Sequence, residues 1–533
     1  MRVIGLLLKG VFWALVVCVP LLGVWVGSSL AAFRNGPILV TALAGLLFFP
    51  ILPLLWEMWA AARRARGPRA GKPRLLTFGD RMILRTLALN LVFIGGLLAT
   101  WPEAGFIALN ARGDWMLEGR EGPEVEQARE VLFAAAEGLE WVYDAAHENP
   151  YAQLAEGGAA DEEAPDQAEL PGISGLDTTG DGVAWADPEE GGAATEGEPA
   201  DEGAADEAQD DGSALPEEGT EGAAPDEEGS ASPEEPYDFT SDNVWPSPEA
   251  VHPLVARMPP EAEASIAAVA AFIQENEPDP FLRVKALHDY VADRISYDYD
   301  SLVPGQRAPQ DAVTVFETRR GVCAGYANLL AALGDETGDE IVYVVGNVRG
   351  MDGGLMGSSH AWNAARVDGR WYLMDPTWDS GYRGEDGAFV KQYRTDFLFT
   401  PPDVFVLDHR PDEDHWQLLM EPISSGDFIR QPMLEPGFFA MGLRMIAPTR
   451  PQLDVSGTVE LRIHNPDAKH LLVDAVPEGA ARGTRCTTIG RESLKVKCVL
   501  KDEATYNVRL FANDEAEGSY RYVGQVSVNN QPG

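Results

Sequence analysis

The hydrophobic residues of this chain are concentrated in three long runs within its first hundred residues. The runs cover 10–32, 38–58 and 82–101, with short polar segments between them. A helix needs roughly 20 apolar residues to cross a bilayer, and the first two runs reach that length while the third comes close. The pattern predicts a membrane region over 1–101 with about three transmembrane helices. A cleaved signal peptide is the alternative for the first run, although its apolar core would be shorter.

The charged residues between the second and third runs predict how these helices are oriented. The segment 61–85 carries eight Lys and Arg residues but one acidic residue, Asp80. Basic loops stay on the cytoplasmic side, so three spans would leave everything after residue 102 outside the cytoplasm. In a bacterium with two membranes this is the periplasm. If only two runs span the membrane, the remainder is cytoplasmic instead.

A helical segment and a very acidic stretch follow the membrane region. Helical periodicity over 122–147 predicts a juxtamembrane helix within 102–150. From 151 to 245 large apolar residues are scarce, and 156–238 holds 28 acidic residues and no basic ones. Such a composition predicts a disordered acidic linker. It contains a partial calcium-loop pattern beginning at Asp177, for which a plain acidic linker is the simpler interpretation.

The net charge of −43 comes mostly from that linker, because the other residues include 41 basic and 56 acidic ones. We therefore expect no nucleic-acid partner, since that function needs basic side chains on phosphates. The four cysteines include no Cys-x-x-Cys pair and there is no paired-histidine motif, so we expect neither a metal nor another cofactor.

Mixed helix and strand patterns resume at 246 and give way to strands alone near 436. Helices are predicted at 261–276, 281–295 and 322–334, followed by strands at 341–346, 360–367 and 370–375. Further strands are predicted at 457–464, 470–476, 484–489, 494–500, 505–512 and 520–528. We accordingly expect an α+β domain over 246–435 and a β-sandwich over 436–533.

One cysteine and one predicted hairpin carry the candidate chemistry. Cys323 begins an apolar helical run, and a helix N-terminus favours a negatively charged sulfur. Asp368-Gly369 lies between two apolar runs, which is a strong signal for a two-residue hairpin turn. With that turn, Asp375 becomes the diagonal neighbour of His360 on one face of the sheet, within hydrogen-bond reach.

A histidine oriented by a carboxylate can take the proton of a nearby thiol. The simpler alternative is a histidine satisfied by a neighbour in a half-buried sheet. Three motifs decide between these interpretations: Gly-Val-Cys323-Ala-Gly-Tyr-Ala, His360-Ala-Trp-Asn and Trp371-Tyr-Leu-Met-Asp375-Pro-Thr-Trp. They resemble the motifs of the transglutaminase-like cysteine superfamily. Downstream motifs around Asp396 and His409, with Phe438-Phe439, resemble its kyphoscoliosis-peptidase branch.

The resemblance covers roughly 280–440 and implies a papain-like fold. It implies Cys323 as nucleophile, His360 as base and Asp375 as the orienting acid. The oxyanion would be held by the Cys323 backbone N–H and a side-chain donor, for which Tyr297 and Gln310 are both candidates. Trp378 and His409 also match the family pattern, and we assign them packing or gating roles.

The other informative cysteines lie in the predicted sandwich, which we expect to resemble an immunoglobulin-like domain. If Gly490 faces Leu494 across a turn, Cys486 lies directly opposite Cys498 on the neighbouring strand. An extracytoplasmic compartment permits a disulfide there, and two half-buried thiols are the alternative. We expect this domain to be a structural or binding module with a cell-envelope partner.

The sequence thus predicts a membrane-anchored cysteine enzyme at the end of a long acidic tether. It would act on peptide or protein amide bonds through a thioester acyl-enzyme, with hydrolysis favoured. The alternatives are a protein-crosslinking transglutaminase and a non-catalytic cell-envelope scaffold that uses the same fold. A calcium-responsive surface protein built on the acidic stretch is a third alternative.

Overall fold

The structure is a computed structural model that describes most of the chain outside the acidic stretch. The described residues are 2–34, 38–66, 75–117, 120, 122–144, 151, 154, 245–302, 307–350, 359–384, 386–450, 452–480 and 482–531. The predicted linker, with its partial calcium pattern, lies outside them apart from Tyr151, Leu154 and Trp245.

The described part of the N-terminal region is mostly helical. Its helices are α1 (Arg2–Phe33), α2 (Ile38–Leu46), α3 (Leu52–Ala65), α4 (Phe78–Thr100), α5 (Pro102–Arg112) and α6 (Pro123–Asp144). Three stretches are long and apolar enough to cross a membrane: Phe12–Phe33, Leu39–Ala65 and Phe78–Thr100. The prediction of three such helices is confirmed, and the third begins earlier than its apolar run suggested because Thr77 and Asp80 form a capping box there.

Polar contacts join these helices to one another. Asn90 of α4 is fully buried and donates to the Thr86 carbonyl at 2.8 Å and to the Phe48 carbonyl at 3.4 Å. Gly23 makes room for it, because a Cβ there would lie 1.7 Å from the Asn90 Oδ1. Small residues that let a polar side chain reach the next helix are characteristic of helix association in membranes.

The helices α5 and α6 contact the folded C-terminal half directly. Asp114, between them, forms ion pairs with Arg129 at 3.0 Å and with Arg450 at 2.6 Å. Glu137 of α6 accepts a hydrogen bond from the Ser424 hydroxyl at 2.7 Å. The folded half is therefore docked on α5 and α6, which differs from our expectation of a domain at the end of a long tether.

The central region is an antiparallel sheet with helices against it. Its helices are α7 (Pro253–Ala256), α8 (Ile266–Asn276), α9 (Pro280–Arg294), α10 (Ala312–Thr318), α11 (Cys323–Thr337), α12 (Pro402–Phe405), α13 (Ser425–Arg430) and α14 (Pro436–Ala440). Its strands are β1 (Ser296–Tyr297), β2 (Arg320–Gly321), β3 (Glu340–Val348), β4 (His360–Val367), β5 (Arg370–Met374), β6 (Gly381–Arg383), β7 (Phe389–Lys391), β8 (Leu398–Thr400) and β9 (His409–Pro411). The sheet order is β8-β5-β4-β3-β9, and α11 packs on β3 and β4.

The hairpin of β4 and β5 has the register that its turn residues predicted. Val367 pairs with Arg370, and the pairing runs on to Asn363 opposite Met374. Asp368 and Gly369 have φ values of 51° and 79°, the left-handed conformation that a two-residue turn requires at both positions.

The C-terminal region consists of two sheets that share one apolar core. Its strands are β10 (Met433–Leu434), β11 (Arg444–Ala447), β12 (Gln452–Val455), β13 (Thr458–His464), β14 (His470–Pro477), β15 (Thr484–Arg485), β16 (Thr487–Ile489), β17 (Ser493–Val499), β18 (Ala504–Asn513) and β19 (Arg521–Asn530). One sheet has the order β10-β19-β18-β14-β15 with β12 on β19, and the other has the order β11-β13-β17-β16. Leu461 and Val496 of one sheet and Val508 and Leu510 of the other belong to the same buried cluster.

Two details of this region bear on the sequence predictions. Cys486 and Cys498 form a disulfide with their Cα atoms 4.5 Å apart, and Thr487 pairs with Lys497 in the predicted register. Strand β10 pairs with β19 although it precedes residue 436, where the β-rich region was expected to begin. The immunoglobulin-like classification stays a prediction.

Candidate active site

Cys323 is the first residue of α11 and is 1% exposed. The chain enters the helix through Val322, whose N–H donates to the Gln310 Oε1 at 2.8 Å. Gly325 must be glycine-sized, because a Cβ there would lie 2.6 Å from the same oxygen. These contacts fix the first turn of α11, where backbone N–H groups have no partner within the helix, around the sulfur.

His360 is the first residue of β4, and Asp375 follows directly after β5. The His360 Nε2 donates to the Asp375 Oδ2 at 2.7 Å, and His360 borders the same cavity as Cys323. Since Nε2 is used by the carboxylate, Nδ1 is the ring nitrogen available to the thiol. Burial by itself lowers the pKa of His360, but the charges of Asp375 and Cys323 outweigh it and raise that pKa to about 10.

Asp375 is fully buried and accepts several hydrogen bonds. Besides His360, its donors are the His409 Nε2 at 3.2 Å, the Thr377 N–H at 2.8 Å and the Trp378 N–H at 3.3 Å. Burial favours the neutral acid, yet the two imidazoles outweigh it and hold the pKa of Asp375 below its ordinary value. The carboxylate is thus kept charged and in a fixed orientation.

His409 is the residue that sequence reasoning missed as a partner of Asp375. Its Nδ1 lies 2.6 Å from the Asp408 Oδ1, so that its ring bridges two carboxyl groups. Burial lowers the pKa of His409, but Asp408 and Asp375 together raise it above the ordinary value. The Asp408-His409 dipeptide was visible in the sequence, but its approach to Asp375 depends on the pairing of β9 with β3.

His360, Asp375 and His409 are also close enough to share a metal ion, the one such group among the described residues. Their closeness is accounted for by direct hydrogen bonds, because 2.7 and 3.2 Å are hydrogen-bond separations.

A cavity of about 600 Å³ opens beside Cys323 and His360. Its aromatic lining residues are Tyr151, Tyr297, Tyr299, Trp378, Tyr382, Phe389 and Phe397, and its charged ones are Arg349, Arg383, Arg394, Asp408 and Glu435. Burial, and to a smaller extent the charge of Asp408, raises the pKa of Glu435 to about 7. The cavity can therefore hold an extended group with both apolar and polar parts.

The two predicted oxyanion donors occupy different places. Tyr297 lines the cavity. Its burial and, to a smaller extent, the charge of Cys323 raise the pKa of its hydroxyl, so this hydroxyl stays a neutral donor. Gln310 is buried behind α11, with its Oε1 on Val322 and its Nε2 on the Ala308 carbonyl at 3.0 Å. Its amide thus supports the backbone of the first helical turn and is not among the residues lining the cavity.

The family model of the transglutaminase-like superfamily matches residues 267–376, which include Cys323, His360 and Asp375. The chain contains a transglutaminase-like domain. The family resemblance predicted from the three motifs is confirmed, as is its kyphoscoliosis-peptidase-like character.

Three relatives outline how far the similarity extends. Kyphoscoliosis peptidase of Mus musculus is 27% identical over 259 residues, which are 47% of this chain and 38% of that protein. Kyphoscoliosis peptidase of Homo sapiens is 30% identical over 187 residues, or 34% and 28% of the two chains. Hillarin of Drosophila melanogaster is 27% identical over 95 residues, or 16% and 12%. The chain thus spans less than two fifths of the length of each of these relatives.

Proposed function

We propose that this protein is a membrane-anchored cysteine enzyme that hydrolyses amide bonds in peptides or proteins. The observation that carries the proposal is one arrangement: Cys323 and His360 line the same cavity, the charge of Cys323 acts on His360, and His360 is hydrogen-bonded to Asp375. The transglutaminase-like domain and the peptidases among the relatives support it.

The chemistry follows from the roles that these positions permit. The imidazole of His360 takes the thiol proton, and the resulting thiolate of Cys323 attacks the substrate carbonyl. The oxyanion is stabilised by N–H groups of the first turn of α11 and by the neutral Tyr297 hydroxyl. The imidazolium then protonates the leaving amine, leaving a thioester on Cys323. A water molecule deprotonated by His360 attacks this thioester, which releases the acid and restores the thiol.

Hydrolysis is favoured over crosslinking because water reaches an open cavity at far higher concentration than any amine. A transglutaminase reaction needs a place where an acceptor amine displaces that water. Asp408 and Glu435 in the cavity wall are the side chains that could attract such an amine. Identifying the acyl acceptor, water or an amine, is therefore the measurement that decides the reaction type.

Two independent features support an extracytoplasmic position for the enzyme domain. The basic residues of 61–85 favour a cytoplasmic loop between the second and third helices. The Cys486–Cys498 disulfide suits an oxidising compartment. In intact cells we expect a membrane-impermeant biotin reagent to label lysines of the C-terminal region, and protection of these lysines until the cells are lysed would contradict this orientation.

The test of the reaction uses the full chain in lipid nanodiscs, incubated with a peptide library in oxygen-18 water containing a fluorescent primary amine. Hydrolysis places one oxygen-18 atom in the new carboxyl group, whereas transamidation attaches the amine. We expect the isotope label with the parent protein and neither product with Cys323→Ala. Amine adducts without isotope label would overturn the proposed hydrolysis in favour of crosslinking.

An attempt to trap the acyl-enzyme tests the scaffold alternative, because a non-catalytic scaffold forms no thioester. Thioester on Cys323, detected by mass spectrometry after acid quenching, is expected in the parent protein. Cys18→Ser serves as the matched control, because Cys18 is the other free cysteine among the described residues and lies in α1. Peptide binding without either thioester or product would favour a scaffold.

A further inference from the structure

Glu435 places an unpartnered carboxyl group in the wall of the cavity beside Cys323. No hydrogen bond or ion pair joins its side chain to another of the described residues. Its backbone is held instead, because its N–H donates to the Val523 carbonyl at 3.0 Å and its carbonyl accepts from the Phe438 N–H at 2.9 Å. A carboxyl group withdrawn from water without a partner is costly, and a ligand in the cavity can supply that partner.

The C-terminal region holds Glu435 in this wall. Strand β10 ends one residue earlier and pairs with β19, with Leu434 opposite Gly524. A Cβ on Gly524 would lie 2.8 Å from the Met433 carbonyl oxygen, so the glycine lets the two strands approach closely. Met433 also lines the cavity. The β-rich region thus contributes a side of the cavity that lies outside the matched residues 267–376.

The positively charged side chains of the cavity wall, in contrast, are engaged by the protein itself. Arg349 is 1% exposed and donates to three backbone carbonyl oxygens. The Arg383 Nε donates to a backbone carbonyl at 3.3 Å, and the Arg394 Nη1 lies 3.8 Å from the Asp396 Oδ2. An anionic ligand would have to compete with these contacts, whereas a cationic ligand would find the carboxyl group of Glu435 available.

We propose that Glu435 binds a positively charged side chain of the peptide substrate, so that the enzyme prefers peptides with lysine or arginine near the attacked amide bond. This role rests on the proposed function, since it takes the cavity to hold the peptide that Cys323 attacks. Trp378 and Phe397 line the same cavity and can pack along the aliphatic stem of such a side chain, while its charged end reaches the carboxylate.

The charges around Glu435 favour a cation as its ligand. Burial, followed by the charges of Asp408 and Asp396, raises the pKa of its carboxyl group to about 7, against the smaller opposing effects of Arg394 and Arg521. Both arginines form ion pairs with Asp396, which offsets much of their charge. A cation bound at Glu435 adds the favourable charge interaction that the carboxylate lacks and stabilises its ionised form.

The experiment presents two matched synthetic peptide libraries to the full chain in nanodiscs. One library contains lysine, and the other has norleucine at the same positions, which keeps the aliphatic stem without the charge. At pH 8 most of the Glu435 carboxyl groups are ionised. Mass spectrometry identifies the cleaved bonds, and we expect kcat/KM to be at least about tenfold higher for the lysine peptides, as for a hydrogen bond between charged groups.

Variants of Glu435 test whether this preference depends on the carboxylate. Glu435→Gln removes the charge and should bring the ratio of kcat/KM for lysine and norleucine peptides close to one. Glu435→Lys should make that ratio smaller than one, because two cations then repel each other. Glu421→Gln is the matched control and should keep the parent ratio, since Glu421 is exposed and is not among the residues lining the cavity.

The variants should also separate specificity from folding. Because its side chain has no partner to lose, Glu435→Gln should melt no earlier than the parent. If Glu435→Lys melts early, Glu435→Gln decides the outcome. A parent ratio close to one, or a ratio that Glu435→Gln leaves unchanged, overturns the cation site. A variant that lowers only the incorporation of a free primary amine also overturns it, because Glu435 then serves the acyl acceptor.

Failure of the proposed function has a different signature, because no peptide of either library is then cleaved. Binding of the two libraries to Cys323→Ala in nanodiscs measures the cation site without any turnover. A preference for lysine peptides that is lost in Cys323→Ala/Glu435→Gln supports the site even in that case. Cleavage without such a preference would support the enzyme and contradict the site.

Discussion

The described residues include two buried histidine–aspartate clusters, and the one around His360 lies beside a thiol. His360 bonds to Asp375 at 2.7 Å and borders the cavity. In the second cluster, His288 of α9 lies 3.1 Å from the Asp289 Oδ1 and 3.4 Å from the Asp379 Oδ2. In both clusters, carboxylates outweigh burial and raise the pKa of the histidine.

The second cluster differs in what surrounds it. Lys285 donates to the Asp289 Oδ2 at 2.7 Å and to the Tyr393 hydroxyl at 2.8 Å, and its side chain is fully buried. Asp379 donates its N–H to the Asp375 carbonyl at 3.2 Å, so this cluster supports the loop that carries the first one. A perturbed histidine therefore marks a reactive site only where a nucleophile and a cavity accompany it.

The largest contrast between the clusters is expected from removing each histidine. His360→Ala should lower peptide turnover by about 10⁴-fold, because both general-base and general-acid steps are lost. His288→Ala should leave turnover of the folded protein within about tenfold of the parent, since it acts through packing. Equal losses of turnover at matched folded fractions would remove the distinction between the two clusters.

The carboxylate of the reactive cluster should have the next largest effect. Asp375→Asn removes the charge that stabilises the imidazolium and fixes its tautomer, so turnover should fall about 10³-fold. The amide oxygen can still accept the N–H groups of Thr377 and Trp378, but the amide NH2 cannot accept from His360 and His409, so the melting temperature should fall as well. Turnover is therefore compared at matched folded fractions. Turnover close to that of the parent would mean that His409 or another group orients His360.

The supporting cluster is expected to affect stability instead of chemistry. Lys285→Met removes the fully buried ammonium group from Asp289, leaves His288 as its remaining cationic neighbour, and should lower the free energy of unfolding by about 3 kcal/mol. Lys469→Met is the matched control, because its partner Asp514 lies at the surface and such pairs contribute less than about 1 kcal/mol. Urea titration measures both variants. A cost for Lys285→Met no larger than that of the control would contradict a supporting role.

The disulfide extends the comparison to the C-terminal region, for which no catalytic group is proposed. Replacing Cys486 and Cys498 together by serine should cost about 2–3 kcal/mol, as expected for a loop of this length. Below the melting transition, alkylation of Cys323 should proceed at the parent rate. A changed rate in the fully folded variant would show that the C-terminal region influences the active site.

The last expected difference concerns pH. The pKa of His360 is raised from about 6.5 when unfolded to about 10 when folded. Its charge interactions thus contribute fully below pH 6.5, and that contribution is lost as pH rises towards 10. Urea titrations of the parent and His360→Gln should show a stability difference that shrinks over this interval. A difference that grows with pH would contradict the sign of this shift.

Features that depend on a local turn were predictable from the sequence. The Asp368-Gly369 turn set the register that brings His360 next to Asp375, and the turn after Gly490 set the pairing of Cys486 with Cys498. In each case the partners are separated by no more than 15 residues, so period-two alternation was enough to place them.

Contacts between distant parts of the chain were not predictable in this way. His409 reaches Asp375 only because β9 joins the far edge of the sheet beside β3. Tyr151 lies at the start of a stretch whose average composition indicates a linker, and no local pattern marks a single buried tyrosine. The ion pairs of Asp114 with Arg450 likewise join residues more than 300 positions apart.

Those ion pairs also fix the C-terminal region relative to the apolar helices. Helix α5 starts directly after α4, and its neighbour Asp114 is bound to the C-terminal region. With α4 embedded in a bilayer, the cavity is held at a set height above the lipid surface. If the proposed membrane anchoring holds, substrates must come to the cavity at that fixed distance from the bilayer.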